Sequence, residues 1–68
     1  MHIIDPKYPD GWGYGNEVYS ESRKQGGIVV DAENGKLYVK WYSNVTGMID
    51  NFVSGGYSPN ELINLSTK

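Results

Sequence analysis

The chain has 68 residues, with nine Gly, two Trp, six Tyr, one Phe and no Cys, and its six basic and eight acidic side chains leave a formal charge of −2. That length suits one domain with a small core, burying only about 60% of the surface its unfolded chain exposes. The lack of cysteine excludes disulfides and thiolate metal sites, and the near-balanced charge excludes a global field that would gather nucleic acid or an anionic membrane.

The first stretch, MHIIDPKYPDGWGYG (residues 1–15), carries two prolines, three glycines and several large aromatics. Proline and glycine at this density forbid a regular helix or central strand, so the segment reads as an irregular lead-in. Its Tyr8, Trp12 and Tyr14 are expected to lie across the folded body that follows, because rings of that size gain by leaving water. NEVYS (16–20) reads as a first short strand, and SESRKQG (20–26) as a polar, mobile connecting loop.

The strongest local signal is GGIVVDAENGKLYVKWY (26–42), two β-rich runs around Asn34-Gly35. That pair tolerates the positive φ angles of a type I′ turn and so predicts a two-residue hairpin loop. Counting outward pairs Glu33 with Lys36, Ala32 with Leu37, Asp31 with Tyr38, Val30 with Val39, Val29 with Lys40 and Ile28 with Trp41. Alternation then gathers Ile28, Val30, Ala32, Leu37, Val39 and Trp41 on one apolar face. The other face carries Val29, Asp31, Glu33, Lys36, Tyr38, Lys40 and Tyr42.

SNVTG (43–47) predicts another turn, MIDNFV (48–53) a strand of mixed pattern, and SGGY (54–57) a break. SPNE (58–61) places Ser at an N-cap, Pro at the first helical position and Glu three residues after the cap, which spells one helical or 3₁₀ turn. That turn delivers Leu62 inward and starts a last strand, INLS (63–66), with Ile63 and Leu65 on a shared face.

Five short strands, a tight central hairpin and a helical turn before the last strand resemble the SH3-like barrel. GGIVVDAENGKLYVKWY is similar to a segment of the KOW-type and Mib/Herc2-type small barrels, and YSPNELINL to the helical turn and closing strand of the same superfamily. The resemblance spans residues 16–66 and implies an all-β fold, a small five-stranded SH3-like barrel with a 3₁₀ turn before its last strand. Residues 1–15 would pack on that barrel as a lead-in. It implies a fold and no particular ligand. The ALYDY-like first strand of the signalling SH3 domains is absent, so their proline-rich peptide specificity does not carry over.

Residues for catalysis are scarce. His2 is the sole histidine, the carboxylates are scattered singly, and Gly11, Gly13 and Gly15 neither follow a strand nor open a helix. The chain therefore reads as a non-enzymatic binding or accessory module, with no cofactor or metal expected. The expected partner is another protein, docked through Trp12, Tyr14, Tyr42 and Tyr57, since Tyr and Trp are enriched in buried interface anchors. The alternative is single-stranded nucleic acid on the Lys36, Tyr38 and Lys40 strand face, with Arg23 and Lys24 in the adjoining loop. Self-association through open barrel edges is a third reading. No signal peptide or membrane span is legible, and a chain this short without a thiol staple reads as cytoplasmic.

Overall fold

A computed structural model describes residues 7–66; residues 1–6, with His2 among them, and residues 67 and 68 lie outside them. Strands β1 (Glu17–Ser20), β2 (Gln25–Glu33), β3 (Lys36–Tyr42), β4 (Ile49–Tyr57) and β5 (Ile63–Asn64) form one antiparallel sheet in the order β4-β3-β2-β1-β5. A 3₁₀ turn, Pro59–Glu61, precedes β5. The fold is all-β as the composition implies. The sheet does not close on itself, however: β4 and β5 are its two edges, and β5 holds β1 through only two residue pairs. A strand that short cannot carry the ladder round to β4.

The central hairpin turns where its sequence requires. Asn34 and Gly35 sit at φ 55° and 77°, the positive angles of a type I′ loop, and the three pairs nearest the turn are those counted from the sequence. Beyond Asp31 the register shifts. A bulge at Val30 sets Val29 opposite Val39, Ile28 opposite Lys40 and Gly27 opposite Trp41. Val29 is consequently fully buried while Ile28 and Val30 are only half-buried, so the expected inward set keeps Ala32, Leu37, Val39 and Trp41 and exchanges the other two for Val29.

Gly27 supplies the reason. A Cβ at that position would stand 2.7 Å from Val39 Cγ1 and 2.8 Å from Trp41 Cε3, so the indole occupies the space a side chain would need. Ile28 could not lie there. Three consecutive apolar residues, Ile28 to Val30, accommodate either register by pattern alone, and the size of Trp41 selects the bulged one.

The core among the described residues is Val18, Val29, Ala32, Leu37, Val39, Trp41 and Leu62, with Tyr8, Trp12 and Tyr57 packed against it. Tyr8 and Trp12 of the lead-in thus cover the core, whereas Tyr14, expected beside them, stands exposed. Their segment is tied down by a Trp12 N–H bond to the Pro9 carbonyl (3.0 Å), by Gly15 and Asn16 exchanging backbone bonds with Val29, and by Asn64 donating to the Gly11 carbonyl (3.1 Å).

Two other expectations change. The polar stretch after β1, expected as a connecting loop over residues 20–26, narrows to a four-residue turn, because Ser20 and Gln25 are already paired and the buried Ser20 hydroxyl accepts the Arg23 N–H at 3.2 Å. In addition, β4 runs through Gly55 and Gly56 to Tyr57, where a break was expected. An added Cβ at Gly55 would fall on the Tyr38 ring, and one at Gly56 would lie 2.8 Å from Lys36 Cβ. Inside the sheet, neighbouring side chains fill the room these glycines leave. The short last strand keeps Leu62 buried, while Ile63 and Leu65 remain largely exposed.

The bulge makes unequal neighbours of two adjacent valines. Val29→Ala should cost about 2 kcal/mol in a denaturant titration and Val30→Ala less than about 1. Equal losses would restore the unbulged register. Gly27→Ala should cost about 1–3 kcal/mol, the usual penalty for forcing extra atoms into a filled space.

Candidate functional site

Between the β1–β2 turn and the 3₁₀ turn lies a cleft of about 390 Å³. Tyr57, Leu62 and Ile63 give it an apolar lining, Ser20, Ser22 and Asn60 are its uncharged polar residues, and Glu21 and Glu61 contribute an acidic residue on each side. Each wall is held by local chemistry. On one side Ser20 Oγ anchors the turn, lying 3.2 Å from Ser22 Oγ as well as accepting the Arg23 N–H. On the other, Glu61 accepts the Ser58 N–H at 3.0 Å, the carboxylate half of a capping box, which leaves its second oxygen for other partners.

Trp41 packs against Tyr57 of the cleft. Its ring meets Tyr57 edge-on, with centroids 5.6 Å apart, and the Tyr57 hydroxyl is fixed by Ser54 at 2.7 Å. The Arg23 guanidinium lies over the same indole at 4.9 Å and bonds Gln25, so this positive charge is turned onto Trp41 beside the acidic wall. The Trp41 indole N–H is buried and has no hydrogen-bond acceptor.

The four aromatics expected to bind a partner do not share one surface. Tyr57 lines the cleft, across from Leu37 on the inner side of the sheet. Tyr42 lies opposite Ile49 on the outer side, Trp12 packs on the core, and Tyr14 stands 75% exposed in the lead-in. Sequence reasoning missed the partners Tyr57 does have. The SPNE capping signal was the visible half of that arrangement, whereas its apposition to Glu21 and Ser22 is a long-range contact.

The basic strand face forms as alternation predicts, with Lys36, Tyr38, Lys40 and Tyr42 all on the outer side of β3. Part of it is already engaged. Lys36 donates to Ser58 Oγ at 3.2 Å and faces Glu33, Tyr38 rests over Gly55, and Lys40 lies between Ile28 and Val53. Arg23 is stacked on Trp41, and Lys24 takes a positive φ of 54° at the turn. Asp31, opposite Tyr38, forms an ion pair with Lys7 at 2.8 Å that ties the lead-in to β2. Among the described residues no group of three or more His, Cys, Asp or Glu side chains is placed to hold a metal ion, and no helix is long and apolar enough to cross a membrane.

Comparison with protein-family models, with curated proteins and with solved structures gives no match to this chain.

The Asp31 carboxyl is held below its ordinary range, first by the Lys7 hydrogen bond and then by the Ala32 N–H. A depressed carboxyl contributes stability above its unfolded pKa and loses it as pH falls through the lower folded value. Lys7→Met should therefore move the Asp31 titration, followed by carboxyl NMR, back up toward the ordinary range. An unmoved midpoint would assign the depression to the backbone donor.

Proposed function

We propose that this chain is a small SH3-like barrel module that acts by binding, docking a segment of a partner protein in the cleft between the β1–β2 turn and the 3₁₀ turn. The barrel reading is supported by the strand order, by the 3₁₀ turn just before the last strand, and by the pairing of the last strand with the first. Coiling of the open sheet around its seven-residue core would bring its edges toward one another. The resemblance to KOW-type and Mib/Herc2-type barrels rests on the same sequence stretches as before.

One observation carries the binding reading: the cleft pairs an apolar lining with carboxylates on both sides, while Arg23, the nearest cation along the turn, is held against Trp41. Apolar surface with a few convergent polar groups is what ligand sites present. The acidic sides favour a protein segment bearing lysine or arginine beside an apolar residue. Catalysis is a poorer fit, since the titratable groups lining the cleft are two well-solvated glutamates and a tyrosine whose hydroxyl is already bonded. A cytoplasmic setting accords with the cysteine-free sequence.

Short peptides with a basic residue flanked by apolar ones should shift the backbone amide resonances of Ser20, Ser22, Tyr57 and Ile63. Glu21→Lys should weaken that binding about tenfold and steepen discrimination against basic peptides. Oligonucleotide binding that falls with salt and disappears in Lys36→Glu with Lys40→Glu would instead give the function to the outer face of β3.

A further inference from the structure

The β3–β4 connection and the first half of β4 carry an unusual load of exposed apolar side chains. Val45 is 93% exposed, Met48 72% and Phe52 71%, with Ile49 and Val53 also open to solvent. These five account for most of the large apolar residues left outside among those described, and all fall within nine residues of chain. Ile49 and Val53 face outward, opposite Tyr42 and Lys40 of β3, so the load continues onto the outer side of the sheet. Apolar surface concentrated in this way marks an interaction site.

We infer that this patch is where two copies of the chain associate, side chains against side chains. Two observations favour a second copy over other occupants, and a third sets the manner of contact. First, Asp50 is the sole charged residue from 43 to 57, and its carboxylate accepts the Phe52 N–H at 3.1 Å within its own strand. With Lys40 of β3 opposite Val53, the patch carries a charge of each sign, which offers a foreign partner little pattern to read and lets the patch meet itself across a twofold axis without a net like-charge clash. Second, the core holds seven residues in a chain without disulfides. Five more side chains removed from water would add substantially to that, and domains of this size draw such support from oligomerisation.

Third, the backbone of β4 is shaped against ladder extension. Between the pairs Lys40–Val53 and Tyr42–Ile49, β3 contributes one residue and β4 three, so Asp50 to Phe52 bulge away from a straight edge. A second irregularity separates the Leu37 and Val39 pairs. Bulged edges resist strand addition, which leaves a closed, side-chain-packed pair rather than a growing sheet. This inference is independent of the cleft.

Sedimentation equilibrium of the whole chain, from about 1 μM to about 1 mM, should show the weight-average mass rising from 7.6 kDa toward twice that value and no further. The thermal midpoint of the wild-type chain should rise with concentration. Phe52→Asp should weaken association at least tenfold and abolish that concentration dependence, leaving peptide shifts at the cleft unchanged. Met48→Lys, altering a different exposed position, should do the same and guards against a folding defect in the first variant. A mass of 7.6 kDa at every concentration, association equal in both variants and wild type, or growth past two copies would overturn the inference. So would a monomer that co-sediments with phosphatidylcholine vesicles and loses that property in Phe52→Asp, because the patch would then belong to lipid.

Discussion

Everything in the sheet answers to the seating of Trp41 on Gly27. The indole takes the volume where any side chain at 27 would stand, and it is buried at 3% exposure. To bring glycine rather than Ile28 under the ring, β2 must hold one residue more than β3 across that interval, and Val30 is the residue left over. From that follow the burial of Val29 and the direction in which β2 continues toward β1. Tyr57 and Arg23, packed on the same ring, carry the constraint into both walls of the cleft.

A core of seven side chains leaves little to spare, and the chain compensates through surroundings rather than depth. The lead-in lays Tyr8 and Trp12 against the core, and its backbone bonds to Val29 lengthen the ladder between the first two strands. The Lys7–Asp31 pair is exposed on both sides, so it adds orientation more than stability. Buried Ser20 has its hydroxyl satisfied within its own turn, which lets a polar residue sit beside the cleft without an uncompensated cost.

The two surfaces differ in the physics available to them. The cleft proposed to hold a partner segment is concave, mixed in polarity and lined by two glutamates, features that favour a charged ligand and would make its capture sensitive to salt. The β4 patch is mainly apolar and carries little charge, suited to contact driven by area. They lie on separate parts of the sheet: one belongs to the β1–β2 turn and the approach to β5, the other to the β3–β4 connection.

Local chemistry in the sequence determined the elements and much of the pairing. Asn34-Gly35 can reverse a chain in few ways, so the hairpin and its first three pairs were legible, as were the alternation of β3 and the 3₁₀ turn spelled by Ser58, Pro59 and Glu61. Where a pattern admitted two answers, only packing could choose. Ile28, Val29 and Val30 satisfy either face, and the indole volume at Gly27 decided between them; Gly55 and Gly56 spell a break until the Tyr38 ring and Lys36 stem fill their vacant positions. The cleft was illegible for the same reason, because Glu21 and Tyr57 are thirty-six positions apart in the chain (57 − 21) and line one cleft only once the sheet is assembled. Turn angles and side-chain period are set within a few residues, whereas volume is contested among residues that the chain itself never places side by side.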